Sequence, residues 1–194
     1  MNVNIMKIDG DWNAGLVLDW HVARSEFLGH NQFGHAEYDT VRTEVGEALY
    51  KLKYRSDFTQ IDTLAKTMVD AITKTFLSIS FVVPMPPSKQ RATQPLIILA
   101  QKAAELLDVP FFQNILLKNG TTPQMKDIDT KKEKIEALMG CFHINDAITN
   151  DGQWDVLIID DLYSSGASLS AATQTMKTYN KIKNIYVAAF TRTK

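Results

Sequence analysis

Cysteine is nearly absent from this chain of 194 residues, and the single one, Cys141, excludes an internal disulfide framework. Its neighbours Met139, Gly140 and Phe142 suit a small buried residue at the start of a strand, not a nucleophile, since no base is visible beside it. Pro-rich linkers, low-complexity tracts and internal repeats are also missing, so one compact unit is expected. Charge of either sign is not in excess: the net charge is −1 and the isoelectric point near 6.4, with no basic footprint for nucleic acid and no polybasic surface for membranes. No apolar run approaches the roughly 20 residues of a membrane helix, and the N-terminus lacks the charged start and apolar centre of a signal peptide, so a cytoplasmic location is expected. Neither G-x-G-x-x-G after a strand nor G-x-x-x-x-G-K-[ST] occurs, which removes the dinucleotide and P-loop readings.

What is present is a strongly patterned α/β chain, 45% apolar. Apolar runs over Ser80 to Val83, Phe111 to Leu117, Cys141 to Ile144, Val156 to Ile159 and Ile185 to Phe190 predict strands. They alternate with helical segments at Gln94 to Leu107 and Lys131 to Met139, and this order predicts a parallel sheet with crossover helices. Two amphipathic stripes come first, through Val41, Val45, Ala48, Leu49 and Leu52, and through Ile61, Leu64, Ala65, Met68, Val69 and Ile72. Nearer the N-terminus, Asp9-Gly10 between Ile5, Ile8 and Leu16-Val17-Leu18 signals a hairpin across which Trp12 and Trp20 can pack.

The most informative stretch runs from Val156 to Ser168. Val156, Leu157, Ile158 and Ile159 form a continuous apolar run expected of a parallel strand buried on both faces. Asp160 and Asp161 end it, at the edge of an α/β sheet where ligands bind. Ser164, Ser165, Gly166, Ala167 and Ser168 then supply hydroxyls and one residue free to take positive φ, so that backbone N–H groups can converge on an anion. Leu169, Ala172, Thr173 and Met176 recur at helical spacing, which puts this turn at a helix N-terminus, favourable to phosphate. Carboxylates repel a phosphate, but they accept hydrogen bonds from vicinal ribose hydroxyls and help hold a divalent cation. Strand, acid pair and turn together fit a ribose 5-phosphate. An acid pair ending a strand also serves as a capping and turn device, although capping needs one such residue and not a run of them.

This segment resembles the phosphoribosyl-diphosphate (PRPP) motif of the type I phosphoribosyltransferases: four apolar residues, two acids, two further residues, then Thr/Ser-Thr/Ser-Gly-x-Thr/Ser. The segments Leu52 to Asp57, Val82 to Lys89, Thr122 to Met125 and Gly140 to Phe142 follow the order of ComF-like phosphoribosyltransferases, which are associated with bacterial competence. The resemblance spans about Leu49 to Arg192 and implies a type I phosphoribosyltransferase-like parallel sheet flanked by helices. Residues 1–60 would form an N-terminal hood and helix, and residues 61–194 the core.

The resemblance also implies roles. Asp160 and Asp161 would orient the ribose hydroxyls and hold Mg²⁺ that arrives with PRPP. Tyr163, Ser164, Ser165, Gly166, Ala167 and Ser168 would hold the 5-phosphate. Ser88, Lys89 and Arg91, in the loop after the first core strand, would bind pyrophosphate, with Lys89 and Arg91 steadying the leaving group; the alternative for this loop is a solvated surface with ordinary charges. The polar stretch Lys118 to Lys134 resembles the family's flexible lid, from which Lys126 would reach the pyrophosphate, though spacing does not choose among its lysines. The expected reaction is Mg²⁺-dependent transfer of the phosphoribosyl group to a nitrogen nucleophile of unknown identity, held by the hood. Trp12, Trp20, Tyr38 and Tyr54 are candidates to stack on that acceptor, or else core residues. Type I enzymes are often homodimers. An alternative in another class is a PRPP- or nucleotide-binding regulatory or accessory protein without turnover, acting in DNA uptake through partners.

Two departures from the family pattern stand out. The four-cysteine zinc ribbon common in ComF-type proteins has no counterpart here, and His21, His30, His35 and His143 do not replace it, so structural zinc is not implied. Where the family shows Arg-Gly-Phe-Asn-Gln, this chain has Arg91-Ala92-Thr93-Gln94-Pro95.

Overall fold

A computed structural model describes residues 1–88, 92–119, 130–138 and 140–193. In chain order the elements are β1 (Met6–Lys7), β2 (Ala14–Trp20), β3 (Val22–His30), β4 (Ala36–Arg42), α1 (Glu44–Arg55), α2 (Gln60–Thr75), β5 (Phe81–Pro84), α3 (Pro95–Leu107), β6 (Leu116–Lys118), α4 (Lys131–Leu138), β7 (Phe142–Ile144), β8 (Trp154–Tyr163), α5 (Ala167–Lys177) and β9 (Ile182–Arg192). The central sheet has the order β1-β2-β9-β8-β5. Its strands β2, β9, β8 and β5 run parallel, and β1 adds an antiparallel edge.

The strand that carries the acid pair lies inside this sheet, between β9 and β5. Its apolar run alternates between two cores. Leu157 and Ile159 point with Leu16, Leu18, Ala188 and Phe190 into the layer of α1, α2 and α3, while Val156 and Ile158 join Val17, Val83, Val187 and the inner face of α5 on the other side. All four residues of the run are fully buried, and each such side chain contributes roughly 1.5–3 kcal/mol relative to exposure. Helix ends are locally encoded. The Thr43 hydroxyl accepts the Gly46 N–H at the start of α1, Glu44 and Glu47 lie in its first turn and Lys53 and Arg55 in its last, and Pro95 opens α3 where its missing N–H costs nothing.

The expected strands at Ser80 to Val83, Val156 to Ile159 and Ile185 to Phe190 correspond to β5, β8 and β9. Two others are corrected. Phe111 makes only a single parallel bridge to Val82, and the chain then leaves the sheet at the polar Gln113-Asn114 step. Farther along, Leu116–Lys118 pairs antiparallel with Phe142–Ile144 in a separate ribbon. A short apolar run is the same signal whether it fills a sheet or lines the inner side of a ribbon; here Leu116 and Phe142 pack with α5 from outside the sheet.

The N-terminal hairpin forms, with Met6 opposite Val17, but its second limb is a strand of the central sheet, parallel to β9. Trp12 packs edge-on to Tyr163 at 6.5 Å and donates its indole N–H to the Ile8 carbonyl, whereas Trp20 lies beneath Arg192, so the tryptophans do not meet across the hairpin. The β3–β4 ribbon pairs with no other strand among the described residues, and it leaves Phe27, Leu28, Phe33 and Tyr38 exposed. Among the described residues no helix is long and apolar enough to cross a membrane.

Candidate active site

Burial along β8 falls from complete at Ile159 to partial at Asp160, Asp161 and Leu162, where the strand emerges at the carboxyl end of the sheet. These residues line a cleft of about 360 Å³. The other walls are Met85 to Ser88 after β5, the start of α3, Lys53 of α1, Lys118 of β6, and Ser168 in the first turn of α5. A parallel sheet delivers its strand ends to one edge, so residues distant in sequence converge there.

The two acids occupy different environments. Asp161 receives the Lys53 ammonium on Oδ2 at 2.7 Å, and both side chains are largely shielded. Asp160 accepts the Asp161 backbone N–H on Oδ1 at 2.8 Å. Burial, reinforced by the charge of Asp161, pushes the Asp160 carboxyl up to about 7, against the opposing pull of backbone N–H groups and Lys53. One carboxyl of the pair is thus in contact with a lysine, and the other keeps its proton toward neutral pH. Burial also lowers Lys118 from the usual lysine range, opposed by Cys141 and Asp160.

Behind Asp161 runs a chain of contacts to the base of the β3–β4 ribbon. The Thr191 hydroxyl donates to the Asp161 carbonyl at 3.1 Å and lies 3.2 Å from His21 Nδ1. Burial lowers the His21 pKa, and the charges of Arg42 and Lys53 lower it further, so the imidazole is neutral near pH 7. Close packing fixes this corner: a Cβ on Gly46 would stand 2.1 Å from the His21 carbonyl oxygen.

The serine–glycine turn follows. Gly166 takes φ 78°, ψ 2° at the N-cap of α5. A side chain there would be strained and would press on the Tyr163 ring, whose atoms lie 2.8 Å from the position of a Cβ. Ser164, Ser165 and Ser168 are exposed, while Tyr163 and Ala167 are buried. Tyr163 therefore places its ring in the core beneath the turn. Its carbonyl accepts the Thr193 N–H at 3.0 Å.

Asp160, Asp161, Ser88 and Ser168 are thus brought to one cleft. Lys89, Arg91 and Lys126 lie outside the described residues. Of the aromatic candidates, Trp12 is core, Trp20 is half-buried, and Tyr38 and Tyr54 are exposed. Lys53 was missed as a site residue. It occurs in a segment shared with the ComF pattern, but its partner lies 108 residues away and only the fold joins them. Among the described residues no group of three or more His, Cys, Asp and Glu could hold a metal.

No family model matches the chain. It is, however, 30% identical over 148 residues to the competence protein ComFC of Bacillus subtilis (strain 168), a match that covers 75% of this chain and 58% of ComFC. The chain is similar to this competence protein. It spans little more than half the length of that relative. Its central sheet, parallel but for the β1 edge, is flanked by helices in an α/β architecture. Similar solved structures include the adenine phosphoribosyltransferase of Trypanosoma brucei with AMP, pyrophosphate and ribose 5-phosphate (13% identical, 97% of this chain and 74% of that one, TM-score 0.49). Another is the glutamine PRPP amidotransferase of B. subtilis with ADP and GMP (14% identical, 82% and 34%, TM-score 0.48). The adenine phosphoribosyltransferase of Thermoanaerobacter pseudethanolicus also overlays (13% identical, 87% and 95%, TM-score 0.46).

Proposed function

We propose that this ComF-like protein transfers the 5-phosphoribosyl group of PRPP to a nitrogen nucleophile and releases pyrophosphate. The observation that carries the reading is the union, at one strand end, of the Asp160–Asp161 pair and the Gly166 turn over a cleft that also holds Lys53 and Lys118. In this reading the acids accept hydrogen bonds from the ribose hydroxyls, and the backbone N–H groups opening α5 hold the 5-phosphate. The bond from C1 of the ribose to the pyrophosphate oxygen breaks, the acceptor nitrogen forms the new bond at C1, and its proton passes to solvent or a base. Lys118 is placed to offset charge developing on the pyrophosphate, a role that Lys89, Arg91 and Lys126 would share.

The donor set fits magnesium held jointly by protein and substrate. Two carboxylates without a third ligand suit an ion that keeps several waters and is bound mainly through substrate phosphates. Asp160 and Asp161 would hold it, and it would supply charge neutralisation at the leaving group.

A second reading, PRPP binding without turnover in an accessory protein, rests on two observations: the Arg91-to-Pro95 departure and the Lys53 contact that occupies Asp161. Calorimetric titration of PRPP with Mg²⁺ into the protein and into an Asp160→Asn/Asp161→Asn variant, with pyrophosphate release followed on addition of candidate bases and amines, separates the two. Binding lost in the variant and release with an acceptor support transfer. Binding without release under any acceptor favours the accessory reading, and no binding by the unmodified protein removes both.

A further inference from the structure

Arg192 ends β9 in register with Trp20 on one side and Tyr163 on the other. Its guanidinium carbon lies 4.7 Å from the centre of the Trp20 ring and 5.5 Å from that of Tyr163. Two rings therefore hold the group and limit its rotamers. The arginine is half-buried, its Nε is fully buried with no hydrogen-bond partner, and among the described residues no carboxylate reaches ion-pair distance. A partly desolvated cation without a counter-ion is costly, and the cost is offset when an anion arrives.

An anion is expected next to it. The Tyr163 ring on which Arg192 rests is the ring that abuts Gly166 at the heart of the phosphate turn. The following residue, Thr193, donates its N–H to the Tyr163 carbonyl, and its hydroxyl lies 3.2 Å from that of Ser164, the first serine of the turn. The end of β9 is thus fastened to the first serine of the turn.

We propose that Arg192 and Thr193 belong to the phosphate cradle, with the Arg192 guanidinium recognising the 5-phosphate of the phosphoribosyl donor. This rests on the function proposed above. It deepens it by making the cradle a site for a phosphate dianion: the turn supplies neutral N–H and O–H donors, and Arg192 the full charge and planar fork suited to phosphate oxygens. Thr193, bonded to Ser164, holds that strand end against the turn.

The test is calorimetric titration of ribose 5-phosphate and, separately, inorganic pyrophosphate into the unmodified protein, Arg192→Met and Arg192→Lys. Arg192→Met is expected to weaken ribose 5-phosphate binding at least tenfold and to leave pyrophosphate binding within twofold, because pyrophosphate would be held at the opposite end of the cleft. Arg192→Lys, which keeps a cation on the rings but loses the fork, is expected to fall between, and it carries the test if the methionine variant does not fold. Ribose 5-phosphate affinity unchanged in the variants, or both ligands weakened equally, overturns the assignment. If the unmodified protein binds neither ribose 5-phosphate nor PRPP, the proposed function fails and this inference with it.

Discussion

Replacing Asp160 with asparagine tests whether the protein gives up stability to keep its acid pair. In the native protein burial and the neighbouring Asp161 charge raise this carboxyl from 3.8 to about 7. Well below pH 3.8 the carboxyl is protonated in native and unfolded chains alike, and the pair costs nothing. As pH rises toward 7 the unfolded chain releases the proton while the native state retains it, so stability falls, and above 7 the full cost is present. At about 1.4 kcal/mol per pKa unit the ceiling is about 4 kcal/mol. The asparagine amide must still be desolvated, which takes back part of that gain, and a net stabilisation of about 1–2 kcal/mol at pH 8 is expected. For a chain of this size that is a rise of about 3–6 °C in Tm. The assay is thermal unfolding in chelator-containing buffer from pH 4 to 8, with PRPP titration in parallel. From pH 4 to 8 the melting temperature of Asp160→Asn should rise steadily relative to that of the unmodified protein and stand above it at pH 8, and PRPP affinity should be lost. A variant whose Tm at pH 8 is equal or lower would refute the electrostatic account of the pair.

The ion pair between Lys53 and Asp161 predicts a coupled loss. Lys53→Met should destabilise by about 1–2 kcal/mol, less than for a fully buried pair because both groups keep some solvent contact, and a double-mutant cycle with Asp161→Asn in urea should show a coupling of similar size; strict additivity would remove the pair from the account. Gly46→Ala should reverse the usual benefit of alanine in a helix, about 1 kcal/mol, because the new Cβ meets the His21 carbonyl, and overpacking of this kind costs about 1–3 kcal/mol; a melting temperature above that of the unmodified protein would show that this corner can relax.

The candidate site was legible to the extent that it is contiguous. Val156 to Ser168 carries its strand, its acids and its turn in a single stretch, and the local rules for each agree. What escaped reading depends on distant pairing. Nothing near Lys53 indicates that helix α1 will point it at Asp161, and nothing near Arg192 indicates that Trp20 and Tyr163 will flank it, because both meetings follow from the order of strands in the sheet. The Leu16-Val17-Leu18 run was assigned to a hairpin because Asp9-Gly10 is a strong local signal. Its other neighbour, β9, begins some 160 residues later, and a parallel partner leaves no mark in nearby sequence. Phe111 to Leu117 fails for the opposite reason: Phe111-Phe112 and Ile115 to Leu117 are two apolar stretches, and the polar Gln113-Asn114 step between them divides the segment between two structures.

The β3–β4 ribbon leaves the body at His21 and returns at Thr43, and these two ends are fastened to each other. The Thr43 hydroxyl donates to the Trp20 carbonyl at 2.6 Å, and α1 starts directly against His21. Residues 22–42 therefore form a closed excursion whose exit and entrance coincide. Such a cassette can be lengthened, shortened or exchanged without changing the spacing of the strands below. The ribbon is thus free to diverge while the acid pair and the turn that follows it stay constant, a division of labour between a replaceable excursion and a fixed floor.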